Sequence, residues 1–232
     1  MKQGFVKVAS ATPRIRVADP VYNAQVICEQ AKEAAEHGAK IVVFPELCIT
    51  GYTCNDLFLQ ELLLEKAKEA LLTIAEETGQ LETLFLVGLP VDKDGRLYNV
   101  AAVLYRGRIL GMIPKKNIPM YAEFYEGRHF TPGEETVTEY RLGKQVIPFG
   151  SNLLFRCEEL PELILGCELC EDLWVAEPPS TSHALMGATV IANLSASNET
   201  VSKDDYRTLL VKASSARLLC GYIYTSAGDQ LS

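Results

Sequence analysis

No stretch of the chain approaches the ~20 consecutive apolar residues that a membrane-spanning helix requires. The N-terminus, Met1-Lys2-Gln3-Gly4, has neither the basic region nor the apolar core of an export signal. Positive charge is also short. The 22 Lys and Arg stand against 30 Asp and Glu, a net charge of -8, which argues against a nonspecific grip on phosphate backbones or anionic lipid. The chain therefore reads as cytoplasmic, with no nucleic-acid or membrane partner. Histidine is scarce: His37, His129 and His183 show no paired spacing, and Cys167-Glu168-Leu169-Cys170 has no second Cys-x-x-Cys to complete a zinc site. A redox pair there would normally open a helix after a strand, whereas Cys167 lies inside an apolar run and only Cys170 reaches its end. Seven cysteines is an odd count without an export signal, so no disulfide framework is expected and most should be reduced core thiols. Internal repeats and low-complexity segments are absent.

What is present is a chain of 232 residues, 48% hydrophobic and 22% charged, enough for one α/β domain that needs neither disulfides nor metal to fold. Residues 5–10 alternate as a strand. Residues 19–37 carry helical spacing through Ala24, Ile27, Cys28, Ala31 and Ala35 and stop at Gly38, and residues 41–44 read as a buried strand. This β-α-β unit predicts parallel pairing. A helix is expected over 56–78, with leucines at 59, 62, 63, 71 and 72, then a strand at 84–91. Strands at 98–105 and 108–113 flank Arg106-Gly107 as an antiparallel hairpin, so the sheet should be mixed. Residues 114–135 keep neither period and predict a long functional loop. Further strands are expected at 136–140, 145–149, 152–157, 163–167, 188–194 and 222–226, with helices at 181–186 and 204–220. The closing residues 227–232 read as a loop being entered.

Three polar groups follow apolar strands: Glu46 after 41–44, Lys115 after 108–113 and Cys170 after 163–167. Strand ends in α/β folds border the crevices where ligands bind. The three types suit amide hydrolysis. A carboxylate can take the proton of an attacking thiol, and an ammonium can stabilise the oxyanion that forms. Singly, each has a bland alternative: a surface or capping carboxylate, a solvated lysine, a small core thiol.

Three segments carry a resemblance: 43–52 (VFPELCITGY), 107–115 (GRILGMIPK) and 170–174 (CEDLW). They resemble the nitrilase, or carbon-nitrogen hydrolase, superfamily with its Glu-Lys-Cys triad. Tyr121 with 123–130, Pro178-Pro179-Ser180 and 192–197 narrow the likeness to the N-terminal glutaminase domains of glutamine-dependent NAD synthetases. The resemblance implies Glu46 as general base, Lys115 as oxyanion-stabilising cation and Cys170 as nucleophile, with Lys116 the neighbouring alternative to Lys115. Glu126 would support the lysine. Tyr121, Glu171, Trp174, Ser197 and Tyr52 would contact glutamine, although simple packing is an equal reading of Trp174. The implied fold is an α/β, nitrilase-like α-β-β-α sandwich with mixed sheets. Residues 1–232 would form one glutaminase domain, shortened at its C-terminal end, of a longer parent chain. A Ser-Gly-Gly-x-Asp pyrophosphate loop is lacking, so this domain is expected to need no cofactor, with ATP and Mg confined to a missing C-terminal synthetase domain. Glutamine as substrate, that synthetase domain and a homo-oligomer are the expected partners. The alternatives are an amidohydrolase for another amide or nitrile, or a noncatalytic assembly module.

Overall fold

The computed structural model describes residues 4–228. It opens with β1 (Val8–Ser10), α1 (Pro20–Glu36) and β2 (Ile41–Val43). Asp19 caps α1 by accepting from the Tyr22 N–H at 3.1 Å, and Pro20 fills the first turn, where a missing N–H costs nothing. A 3-10 segment (Tyr52–Leu59) and α2 (Glu61–Glu77) lead to β3 (Leu84–Lys93), β4 (Arg96–Tyr105) and β5 (Arg108–Pro114). After the long loop come β6 (Thr138–Leu142), β7 (Gln145–Phe149), β8 (Leu154–Arg156) and β9 (Ile164–Leu169). The chain ends in α3 (Pro179–Leu185), β10 (Val190–Ser195), α4 (Lys203–Leu218) and β11 (Gly221–Ser226).

The strands form two sheets, of order β1-β2-β3-β4-β5-β7-β6 and β11-β10-β9-β8. Both are mixed. β1, β2 and β3 are parallel neighbours while β3-β4-β5 run antiparallel, and β9-β10-β11 are parallel while β8 opposes β9. Alternation along each strand sorts side chains into two layers of core. Val43, Leu86, Val103 and Ile113 of the large sheet meet Leu165, Cys167, Leu169, Ala192 and Leu194 of the small one. The other face of the large sheet packs Val42, Val87, Ala102 and Met112 against Ile27, Ala31, Leu71 and Ile74 of α1 and α2. On the outer side of the small sheet, Ile191 packs with Ala184 of α3 and Leu218 of α4. The layering is α-β-β-α. No helix among the described residues is long and apolar enough to cross a membrane.

Several boundaries differ from expectation. The strand expected at 5–10 pairs only over Val8–Ser10, because its partner β2 offers just three residues. The helix expected over 56–78 is broken. Asn55 takes φ 49° and Gln60 is extended, so α2 starts at Glu61 and leaves Leu59 and Leu62 exposed. The strand expected at 136–140 runs over Thr138–Leu142, where Thr138 to Leu142 ladder with Phe149 to Gln145. The strand expected at 163–167 continues to Leu169, since Asn193 and Leu194 of β10 pair with Glu168 and Leu169. The expected loop at 227–232 lies partly outside the described residues.

Candidate active site

β2 ends at Pro45-Glu46, where the chain turns beneath β3. Gly88 of β3 allows that approach: a Cβ there would stand 2.3 Å from the Leu47 nitrogen. Glu46 is held fully buried as a result. Its Oε1 accepts from Lys115 Nζ at 2.7 Å and from Asn99 Nδ2 at 2.7 Å, and its Oε2 accepts from the Ala196 N–H at 3.0 Å. Lys115 follows β5 directly and is 0% exposed. Its second bond runs to Glu126 Oε1 at 2.6 Å, and Tyr52 donates its hydroxyl to the same oxygen at 2.8 Å. Asn99 spans both carboxylates, reaching Glu126 Oε2 at 3.4 Å.

Cys170 follows β9 as the first residue of a 3-10 turn, Cys170–Leu173, and takes φ 38°, a left-handed conformation that costs a non-glycine residue free energy. Asp172 holds this turn. Its Oδ2 accepts from the Leu169 N–H at 3.0 Å, while Oδ1 accepts the backbone N–H and the Nδ2 of Asn117, both at 2.8 Å. One buried carboxylate thus ties the turn carrying Cys170 to the loop that leaves Lys115.

The electrostatics follow from burial. Desolvation and the nearby Glu46 push the Cys170 thiol up to about 12, against the pull of Lys115. Burial likewise raises the Glu46 carboxyl to about 7, offset by the Lys115 ammonium and reinforced by Glu126. For Lys115 burial alone would favour the neutral amine, yet Glu46 and Glu126 outweigh it and hold the group charged well above its ordinary range. Two carboxylates, one ammonium and a thiol therefore share a dry site in which a proton has several competing owners.

The other expected site residues fall around this cluster in different ways. Tyr121 donates to Glu171 Oε2 at 2.8 Å. Ser197 is buried and its hydroxyl donates to the Asn198 carbonyl at 3.4 Å. Trp174 packs on Tyr206, with ring centroids 5.5 Å apart, and Lys203 Nζ stands 5.2 Å from its ring. Tyr52, expected among substrate contacts, has its hydroxyl engaged by Glu126. Lys116 pairs with Glu135 at the surface, 2.5 Å away, and Lys115 alone of the two enters the cluster. Cys167 faces the core between the sheets. All seven cysteines are free thiols, and no group of three His, Cys, Asp or Glu side chains among the described residues is arranged to hold a metal.

Two cavities flank the cluster. One of about 270 Å³ is lined by Tyr52, Phe58, Phe124, Glu126, Ala196 and Asn198, and one of about 220 Å³ by Thr12, Arg14, Pro45, Glu46, Cys48 and Tyr52. The sequence reading missed Asn99, Asp172, Ser195, Tyr224 and Arg207. Ser195 is buried at the end of β10, draws the Cys170 thiol slightly downward against its burial, and accepts from the Tyr224 hydroxyl at 2.7 Å. Arg207 lies 5.9 Å from the Tyr224 ring, bonds Glu199 at 2.5 Å and leaves its buried Nη1 unpaired. Asp172 stood within a quoted motif and carried a signal. Ser195 likewise stood within the quoted segment 192–197 but was given no role there, while Asn99, Tyr224 and Arg207 are single polar residues in a strand or helix and carried no signal.

The model of the carbon-nitrogen hydrolase family matches residues 7–225. Over 228 residues the chain is 41% identical to the glutamine-dependent NAD(+) synthetase of Mycobacterium tuberculosis, an alignment covering 98% of this chain and 34% of that protein. It is 34% identical over 204 residues to the enzyme of the same name from Thermotoga maritima, covering 88% and 32%. The chain thus spans about a third of the length of these curated relatives. Among solved structures, a glutamine-dependent NAD(+) synthetase from Cytophaga hutchinsonii superposes with a TM-score of 0.84 at 29% identity, covering 96% of this chain and 37% of that one. An amidase from Nesterenkonia sp. superposes with a TM-score of 0.73 at 19% identity over 98% of this chain and 78% of its own, a likeness of fold.

Proposed function

The chain belongs to the carbon-nitrogen hydrolase family, and from that premise we propose that it hydrolyses the side-chain amide of glutamine through a thioester on Cys170. The observation that carries the reading is the buried Glu46–Lys115–Glu126 cluster beside a thiol on a strained turn. Cys170 Sγ attacks the amide carbon while its proton passes to Glu46. The Glu46 Oε2 has one protein partner, the Ala196 N–H, and so keeps room to accept it. Lys115 commits two of its three N–H bonds to Glu46 and Glu126, which leaves the third for the oxyanion. Collapse of the tetrahedral intermediate returns the proton from Glu46 to the leaving nitrogen and releases ammonia. Water, deprotonated by Glu46, then cleaves the thioester and the proton returns to Sγ.

Glutamine fits the surroundings by charge. Its α-ammonium would meet the Tyr121-supported carboxylate of Glu171, and its α-carboxylate the Ser197 hydroxyl and the unpaired Nη1 of Arg207. In this reading residues 1–232 are the glutaminase part of a longer synthetase, and the ammonia amidates nicotinic acid adenine dinucleotide to NAD in a further, ATP-dependent domain. The relatives' names and the third of their length that is matched support it. The test is labelling with a diazo-ketone analogue of glutamine, located by peptide mass spectrometry. A single adduct on Cys170, suppressed by excess glutamine and absent in Cys170→Ala, is expected. Labelling scattered over several cysteines would overturn the ordered site, and an adduct that glutamine does not suppress but another amide does would move the substrate within the family.

A further inference from the structure

Ser195 and Tyr224 lie outside the Glu46–Lys115–Cys170 arrangement, and their placement gives them a role in it. Ser195 ends β10 one residue past Leu194, which pairs with Leu169 of β9, so its position is abreast of Cys170. It is 0% exposed. Its backbone carbonyl accepts from the Glu46 N–H at 3.3 Å and the next residue, Ala196, donates to Glu46 Oε2 at 3.0 Å, which ties the Ser195 backbone to the segment that carries Glu46. The Ser195 side chain is among the groups that draw the Cys170 thiol downward, against its burial, and the Tyr224 hydroxyl of β11 donates to Ser195 Oγ at 2.7 Å.

We infer that Ser195 is a catalytic residue of this site, donating its O–H to the sulfur of Cys170, and that Tyr224 is a positioning residue that orients that O–H by donating to Ser195 Oγ. Donor counts allow these directions, and charge on sulfur selects them, since a thiolate has no proton to give. A hydroxyl has one proton to give, and with Tyr224 already donating to it, Ser195 has its own proton free to point at sulfur. No proton changes owner in this chain. Both hydroxyls remain intact while negative charge grows on Sγ during thiol deprotonation and again when the thioester expels it. A donor aimed at developing charge in a dry site acts only when that charge appears. The Tyr224 ring is itself held by Arg207, whose guanidinium lies 5.9 Å from its centroid, so the relay ends on a fixed cation.

The inference rests on Cys170 being the nucleophile, and the test separates the two. Alkylation of Cys170 by iodoacetamide, followed by peptide mass spectrometry from neutral to alkaline pH, needs no glutamine. Ser195→Ala is expected to slow it about ten-fold, the effect of one hydrogen bond to a charged acceptor. Tyr224→Phe, which removes one oxygen and keeps the ring, is expected to slow it less, about three-fold. The double variant should be no slower than Ser195→Ala alone, because the tyrosine acts through the serine. Ser195→Thr, which restores the hydroxyl, should recover most of the rate. With hydrolysis followed in parallel, kcat should fall and KM stay. An unchanged alkylation rate in a Ser195→Ala protein with wild-type thermal midpoint overturns the inference, as do single losses that multiply in the double variant. If Ser195→Ala does not fold, an unchanged rate in folded Tyr224→Phe does the same for the relay. A wild-type protein left unlabelled at Cys170 would instead refute the reading of the nucleophile.

Discussion

Replacing Lys115 with methionine tests the central cluster by removing its only ammonium while keeping the length of the side chain. Lys115 is 0% exposed and its Nζ lies 2.7 Å and 2.6 Å from the carboxylates of Glu46 and Glu126, themselves nearly inaccessible. Breaking a buried pair by deleting one partner costs about 3–5 kcal/mol, because the remaining charge is stranded. Here two carboxylates are stranded, but each can escape by taking a proton. The Glu46 carboxyl, already held above its ordinary value near 4.5, then rises further in the folded chain, so the folded state binds more protons and stability falls as pH rises. The loss should be largest near pH 8, a drop in thermal midpoint on the order of 10 °C for a chain of this size. Near pH 5 it should shrink to less than about half of that, as the Glu46 carboxyl becomes neutral. Thermal unfolding followed by circular dichroism at the two pH values reads the difference. The triple variant Lys115→Met, Glu46→Gln, Glu126→Gln, with no charge left to strand, should regain most of the stability at pH 8 without any activity. A loss of equal size at both pH values, or a triple variant no more stable than the single one, would refute the account of the cluster as a mutually dependent set of charges.

The proposed role of Glu46 as base should show itself in a pH profile: burial holds its carboxyl up to about 7, so alkylation of Cys170 should rise with pH through that value, and Glu46→Gln should abolish the limb. Gly88→Ala should displace the loop carrying Glu46, since the added Cβ would stand 2.3 Å from the Leu47 nitrogen; a destabilisation of about 1–3 kcal/mol with a fall in kcat is expected, and wild-type kinetics would count against the approach described. Asp172→Ala removes three hydrogen bonds that hold the strained turn and the loop after Lys115, and kcat should drop at least ten-fold, by about the worth of one bond to a charged acceptor, while Asp172→Asn, which keeps an acceptor, loses less. Glu168 is a buried carboxyl outside the site, raised by desolvation to about 7 although the Tyr222 hydroxyl and the Ser180 N–H both bond it. It takes up a proton on folding, so it contributes stability at acid pH that is lost as pH climbs from near 4.5 to about 7; Glu168→Gln should flatten the thermal midpoint across that window, and an unaltered slope would be the contrary result.

The cluster's chemistry comes from its dryness as much as from its members. In water Glu46 would be a weak base for a thiol and Lys115 a weak electrostatic aid. Enclosed by β2, β4, β5 and β9, the same groups compete for a proton, and the commitment of donors and acceptors one by one leaves an open position on Glu46 and on Lys115 facing the same chemistry.

The amino-acid sequence by itself determined the α/β alternation, the hairpin of β4 and β5, the long loop after Pro114 and the strand-end placement of Glu46, Lys115 and Cys170. These are local matters, set by periodicity, turn residues and the abrupt arrival of polar side chains after apolar runs. The motif wording carried the family as well, and with it the expectation of Lys115 rather than Lys116; in the structure the first follows β5 into the interior and the second pairs with Glu135 at the surface. The break before α2 was hidden, because Leu59 and Leu62 keep helical spacing in a segment whose backbone turns away at Asn55 and Gln60. Tyr52 could be placed near the site but not assigned its partner, Glu126, which lies 74 residues along the chain. Asn99 and Tyr224 were silent for the same reason, and Ser195, though inside the segment 192–197, had no role assigned to it. Each is an unremarkable polar residue in a strand, and its meaning depends on which strands lie beside it and in what register. Only the tertiary structure decides that, since two sheets must first pack face to face before β4, β10 and β11 can bring an amide and two hydroxyls to residues delivered by β2, β5 and β9.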